Sequence, residues 1–207
     1  MPEIHARLFV IAAPSGAGKT TLVRALITHN PELRFSISYT TREKRSNEAE
    51  GVDYLFVDTK KFAALRVEGE LLESATVFDH LYATSRSQVD QHLQDGHSVV
   101  LEIDWQGARQ VRESMPDCVT IFILPPSLPE LERRLRDRRT DSDDVIARRL
   151  AEAASEMDRW EEFDYVVIND DLGQAIIDLE AVLAGKGAPH ATKNAALRAR
   201  VVDLIGL

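Results

Sequence analysis

Leu8-Phe-Val-Ile-Ala-Ala-Pro-Ser-Gly-Ala-Gly-Lys-Thr-Thr21 decides the architecture of this chain. Its first half is an apolar, β-branched run of the kind that forms a strand buried on both faces. Its second half is a glycine-rich turn that leads directly into a helical pattern, Thr20 to His29. Strand, glycine turn and helix in that order distinguish a phosphate-binding loop from a chance Gly-Lys-Thr. Gly16 and Gly18 allow the backbone to wrap with its N–H groups turned inward, and the helix start adds positive potential. Lys19 can reach the β and γ phosphates, and Thr20 can ligate Mg²⁺. Ala13 stands where the strict pattern has its first glycine; it ends the strand, so the inward-facing N–H groups lie beyond it.

The same alternation repeats downstream. Ser98 to Ile103 reads as a strand before the helix Trp105 to Met115, and Cys118 to Leu124 as a strand before the helix Leu128 to Arg138. Ser127 and Glu130 have the spacing of a capping box at the start of that helix. Ile146, Leu150, Ala153, Met157 and Trp160 recur at helical spacing, and Asp164 to Ile168 is a last strand. This pattern predicts an α/β fold, a parallel sheet covered by helices. Phe35 to Thr84 has a different texture, with short strands at Ser36 to Tyr39, Tyr54 to Val57 and Leu71 to Phe78, and reads as a small mixed-β subdomain inserted into the sheet. Ala184 to Lys193, rich in Gly, Ala and Pro, reads as the low-order stretch. Leu197, Val201 and Leu204 beyond it suit either a docked helix or a partner contact.

Composition narrows the partners. The 207 residues carry 25 Lys plus Arg against 34 Asp plus Glu, a net charge of −9, with 44% hydrophobic residues. That is enough apolar material for a core and excludes disorder and fibre classes. The negative field disfavours nucleic acid and anionic membranes, so any anionic ligand must meet clustered arginines. Seven arginines fall between Glu132 and Arg149, namely Arg133, Arg134, Arg136, Arg138, Arg139, Arg148 and Arg149. The interleaved Glu132, Asp137, Asp141, Asp143 and Asp144 suggest that some of them only form a solvated, charge-laced helix. A single cysteine, Cys118, allows no internal disulfide, and the six histidines show no metal-site spacing. The apolar run Leu8 to Ala13 is shorter than a signal-peptide core or a membrane span, so the chain is expected to be soluble, unprocessed and cytoplasmic.

Two carboxylates close the second βα unit. Asp104 follows Val99-Val-Leu-Glu-Ile, where an acid that supports a Mg²⁺ shell through water belongs, and it can equally serve as the N-cap of the next helix. Glu102 points to the same side of the strand. Within Thr40-Thr-Arg-Glu-Lys-Arg-Ser-Asn-Glu-Ala-Glu-Gly-Val-Asp-Tyr-Leu-Phe-Val57, two arginines stand three apart, followed by Glu48, Gly51, Tyr54 and Phe56. Taken alone, this could be a solvated loop. Together with Ser-Gly-Ala-Gly-Lys-Thr, Asp-Trp-Gln-Gly107, Ile-Leu-Pro-Pro-Ser127 and Asn-Asp-Asp171, it resembles guanylate kinase of the bacterial type over residues 7 to 183.

The resemblance implies a core of about 7–34, 85–127 and 150–183, an acceptor-binding subdomain of about 35–84, a lid of about 128–149 and a tail, 184–207, of undetermined role. It implies phosphoryl transfer from ATP to GMP or dGMP with Mg²⁺, and closure of the molecule on binding acceptor. On the ATP side it marks Ser15, Gly16, Ala17, Gly18, Lys19, Thr20, Thr21 and Asn169. It places Arg42, Arg45, Tyr54 and Tyr82 around the acceptor phosphate, where guanidinium forks and phenol hydroxyls suit phosphate oxygens. Ser38, Glu73 and Thr84 fall at the base, with Glu102 and Asp104 nearby. Guanine offers adjacent N1–H and N2 amino donors that one carboxylate can accept, so Glu73 is expected to select it. Arg134, Arg138 and Arg149, with Lys19, are implied to act on the transferring group. The chain departs from the family pattern at Ala83 (usually Gly), Glu102 (usually Asp) and Asp137-Arg138-Arg139 (usually Gly-Arg-Gly). Two other readings stay open: a catalytically silent interaction module of the same fold, or a P-loop kinase for another phosphorylated acceptor. The oligomeric state is left open.

Overall fold

The computed structural model describes residues 6–46, 48–77, 79–137 and 143–206. Its strands form a five-stranded sheet in the order β2-β7-β1-β8-β9, where β1 is Leu8–Ala12, β2 Arg34–Phe35, β7 Val99–Glu102, β8 Val119–Leu124 and β9 Tyr165–Ile168. A four-stranded sheet has the order β4-β3-β6-β5, with β3 at Tyr39–Thr40, β4 at Leu55–Phe56, β5 at Leu71–Val77 and β6 at His80–Ser85. The fold is the expected α/β type with a parallel sheet and a second, mixed one. All five β1 residues are buried, as a strand covered on both faces requires.

The chain divides into two compact units, Met1–Val10 with Pro31–Val119, and Ile11–Asn30 with Thr120–Leu207. In the first, β2 runs parallel to β7 with Arg34 opposite Val99 and Phe35 opposite Val100. The Ser36 N–H continues that ladder by donating to Val100 O at 3.2 Å. The chain then changes sheets, and this is why the strand expected from Ser36 begins only at Tyr39. There β3 lies parallel to β4 and antiparallel to β6. Helix α2 (Thr59–Val67) is capped by Asp58, whose carboxylate accepts from Lys61 N, and buries Phe62 and Leu65. Helix α3 (Arg86–Gln94) is capped by Ser85, and α4 (Trp105–Ser114) by Asp104.

The register of β5 against β6 slips once. Leu71 faces Ser85 and Glu73 faces Thr84, so Leu72 is an extra residue on β5. Such a bulge re-aims the side chains that follow it. Leu72 and Glu73 are consequently buried in succession instead of alternating.

In the second unit β8 and β9 are parallel, from Ile121 opposite Tyr165 to Leu124 opposite Ile168. Helix α1 (Lys19–His29) packs on α7 (Leu172–Leu183), whose N-cap is Asp171. Helices α5 (Leu128–Asp137) and α6 (Asp143–Met157) enclose an apolar cluster of Leu131, Leu135, Ile146 and Ala153, with Leu150 against it. The helical face expected to continue to Trp160 tightens into a 3₁₀ turn at Asp158–Glu162.

The stretch Ala184 to Lys193 is tied down. Ala191 bridges Tyr165, Thr192 N–H donates to Asp164 O at 2.9 Å, and a 3₁₀ turn spans Ala188–His190. Helix α8 (Ala195–Ile205) follows and buries Val201. Its Arg198 pairs with Glu161 and lies 5.0 Å from the centre of the Trp160 ring, so the tail is a docked helix. Among the described residues no helix is long and apolar enough to cross a membrane.

Candidate active site

All the residues expected to hold the acceptor fall in the first unit; Glu73, Tyr82 and Thr84 lie on β5 and β6 of the four-stranded sheet, Glu102 ends β7 of the other, and Asp104 caps α4. Tyr82 and Thr84 stand two apart on β6 and so share a face, about 7 Å from one another along the strand. Around Tyr82 the phosphate candidates converge. The rings of Tyr54 and Tyr82 meet edge to face at 5.8 Å, and the Arg42 guanidinium sits 5.4 Å from the Tyr54 centre and 5.9 Å from that of Phe56. Glu48 organises the arginines: its Oε1 accepts from Arg42 Nη2 at 2.6 Å and its Oε2 from the Arg45 backbone N–H at 2.8 Å.

The charges respond to these contacts. The hydrogen bond from Arg42 holds Glu48 below the usual carboxylate range, and the same bond raises Arg42 further. Burial raises the Tyr54 phenol, and Tyr82 and then the Glu102 carboxylate add to the rise. Tyr54 is thereby kept as a neutral hydrogen-bond donor. The side chain of Arg45 is exposed, and its position in the group is set by its backbone.

Beside Thr84 stand Glu73 and, across Gly107, Asp104. Glu73 is only 4% exposed, and its Oε1 accepts from Thr84 Oγ1 at 2.8 Å. Its Oε2 lies against Gly107 so closely that a Cβ there would stand 2.6 Å away. Asp104 Oδ1 accepts from Gly107 N–H at 2.8 Å, the N-cap expected of it. One glycine therefore brings two carboxylates together in the first turn of α4. Ser38 lies between β2 and β3, its carbonyl accepting from Leu55 N–H, and Glu102 ends β7. Ala83, one of the departures, is fully buried and pairs with Tyr39 and Ser74.

Sequence reading missed three residues here. Glu48 was part of the motif but carried no role, although it holds both arginines. Gly107 carries no chemistry of its own that a sequence would mark. The Gln110 side-chain amide holds the Ser74 backbone at both ends, Ser74 N–H to Oε1 at 3.0 Å and Nε2 to Ser74 O at 2.9 Å. A glutamine on a helix reads as solvated; its three-residue spacing from a buried glycine was the available signal.

The donor candidates fall in the second unit. After β1 the loop turns through Ser15, with Gly16 at φ +92° and Gly18 at φ +94°, and Ala17 N–H donates to Pro14 O at 3.2 Å. Gly18 serves as the N-cap of α1 with no side-chain cap, leaving Lys19, Thr20 and Thr21 in the first turn. Asn169 is buried behind the loop, donating from Nδ2 to Ala17 O at 2.7 Å and from its N–H to Leu124 O at 2.8 Å. Arg134 reaches the same place, its Nη2 donating to Asn169 O at 3.0 Å and its Nε to Glu130 at 2.8 Å.

Glu130 N–H donates to Ser127 Oγ, half of the expected capping box. Its carboxylate turns to Arg133 and Arg134 instead of back to the cap, and their hydrogen bonds lower its pKa to about 2. Arg133, Arg136 and Arg148 engage Asp137, Asp143 and Glu152 as surface ion pairs, the solvated role expected of them. Arg149 is half-buried on α6. Arg138 and Arg139 lie outside the described residues.

A family model described as guanylate kinase matches residues 5–186. A guanylate kinase of Aromatoleum aromaticum is 54% identical over 187 residues, covering 90% of this chain and 92% of the relative. That of Alkalilimnicola ehrlichii is 49% identical over 199 residues, covering 96% and 98%. The crystal structure of guanylate kinase from Anaplasma phagocytophilum superposes with a TM-score of 0.73 at 32% identity, covering 98% of this chain and 96% of that one.

Proposed function

The chain belongs to the guanylate kinase family, and we propose how its residues divide the labour of that family's reaction, in which ATP and GMP give ADP and GDP in purine nucleotide metabolism. The acceptor half rests on one observation above all. Glu73 is buried at 4% exposure with Thr84 fixing one oxygen, beside a glycine that leaves the other oxygen room. A carboxylate is an acceptor on both oxygens, and guanine presents an adjacent pair of donors, N1–H and the N2 amino group. Ser38, Thr84, Glu102 and Asp104 complete the base side, and Arg42, Arg45, Tyr54 and Tyr82 bind the phosphate. These contacts lie on base and phosphate, so dGMP is accepted as well as GMP.

The donor half is the loop Ser15 to Thr21 with Asn169. Its two positive-φ glycines turn backbone N–H groups toward a phosphate at the start of a helix. The nucleophile is a phosphate oxygen that is already ionised near neutral pH, the second pKa of a phosphate monoester being ~6, so no general base is needed. The chain must instead neutralise two polyanions, align them in line and exclude water. Lys19, Arg134, Arg138 and Arg149 are assigned to the developing charge. Arg134 is already oriented by Glu130 and the Asn169 carbonyl.

The Thr20 hydroxyl, in the first turn of α1, is a hard oxygen donor of the kind Mg²⁺ prefers and would hold the ion directly. When bound, Mg²⁺ would offset charge on the β and γ phosphates. Net charge of −9 sets the chain against nucleic acid and anionic membranes as partners. A cytosolic setting accords with one buried cysteine, Cys118, that has no second cysteine to pair with.

ADP release with ATP, Mg²⁺ and each nucleoside monophosphate in turn tests the assignment. Turnover should be rapid with GMP and dGMP only, and Lys19→Ala should lower kcat by about 10²-fold or more. Comparable turnover with AMP, CMP or UMP would overturn the assignment of Glu73.

A further inference from the structure

Among the described residues β5 is an edge strand, with β6 on one side only. On an edge strand every second residue points its N–H and C=O away from the neighbouring strand. Ser74 is such a residue, and both its groups are taken by the Gln110 amide, at 3.0 and 2.9 Å. One side chain of α4 thus does for this peptide what a further strand would do. Ser74 directly follows Glu73, so the clamp acts on the peptide that carries the selecting carboxylate. It lies just past the Leu72 bulge, where the strand is least constrained by its own ladder.

Gln110 and Gly107 are three apart on α4 and share a face. The clamp and the glycine therefore form one device. Gln110 ties β5 to α4 at Ser74, and at that distance a Cβ on residue 107 would stand 2.6 Å from Glu73 Oε2 and push the carboxylate aside.

Building on the assignment of Glu73 to guanine, we propose that Gln110 is a positioning residue for base selection: by clamping the Ser74 peptide to α4 it holds the Glu73 carboxylate at the place where it accepts from the base. It touches neither nucleotide. Losing the clamp lets the carboxylate wander, so the penalty falls on acceptor recognition and not on ATP.

The test compares Gln110→Ala and Gln110→Met with the parent enzyme, using GMP and IMP, which keeps N1–H but lacks the 2-amino group. Methionine preserves length and apolar packing while removing both hydrogen bonds. Both variants should raise the KM for GMP about ten-fold, with a smaller fall in kcat and an unchanged KM for ATP. The preference for GMP over IMP should shrink by a similar factor. A Met variant that keeps the parent KM and preference would overturn the proposal, because packing alone would then account for Gln110. Glu73→Gln, measured alongside, separates the two layers. If it collapses the preference while the Gln110 variants keep it, only the positioning role fails. If Glu73→Gln leaves the preference intact, the base assignment fails and the positioning role with it.

Discussion

Gly18 is held at φ +94°, and a Cβ on it would stand 2.4 Å from Asn169 Nδ2. Both facts bear on Gly18→Ala. The left-handed conformation and the contact together should cost about 1–3 kcal/mol, read by denaturant unfolding, and should raise the KM for ATP more than that for GMP. Gly107 illustrates the other reason for a glycine. Its backbone is ordinary helix, where alanine would normally be favoured, but a Cβ there would stand 2.6 Å from Glu73 Oε2 and 3.2 Å from Asp104 Oδ1, so one or both carboxylates would have to shift. The candidate site residues could be named from the sequence because the loop and the two-arginine stretch are sequence motifs. What they touch was not legible there. Nothing local announces that Thr84 gives its hydroxyl to Glu73, or that Glu48 holds Arg42 and the Arg45 backbone, since these partners stand on different strands or across a loop.

At the scale of elements, strong periodicity was readable and weak periodicity was not. The buried strands β1, β7 and β8 fell within a residue or two of expectation because continuous apolar runs suit only the sheet interior. Helix α2 escaped notice because it buries just Phe62 and Leu65, too few to set a helical period. The bulge at Leu72 left no mark in the sequence, yet it is what buries Glu73.

The apolar spacing of the tail suits both a docked helix and a partner contact, and the contacts of α8 with Glu161 and Trp160 decide for docking. Asn194 Oδ1 accepts from both Ala196 and Leu197 N–H at its start. Asn194→Ala should therefore lower stability by about 1 kcal/mol, seen as a fall of a few degrees in Tm, with kcat and both KM values unchanged.

Across the whole molecule, several carboxylates are more acidic in the folded state than in a free chain. Hydrogen bonds from Arg42 lower Glu48, those from Arg133 and Arg134 take Glu130 from 4.5 to about 2, and the hydroxyls of Ser85 and Ser87 lower Glu70 against a burial that raises it. A depressed carboxylate stabilises the fold above its unfolded pKa and loses that contribution as pH falls toward its folded one. Unfolding free energy should hence decline from about pH 4.5 downward. For Glu130 the loss continues to about 2, so Glu130→Gln should flatten the lowest part of the profile. The Glu130 pairs are solvated, and 1 M salt should shrink their share of the slope. Urea unfolding at stepped pH, in low and high salt, measures all of this.

The clamp on β5 also closes part of a sheet edge. A bare sheet edge offers unpaired N–H and C=O groups on which a strand from another chain can template, the first step toward intermolecular sheet growth. Gln110 occupies that template at Ser74, in the middle of the strand, where an incoming segment would need it most. The side chain that holds the Ser74 peptide thus also denies that peptide to a strand from another copy.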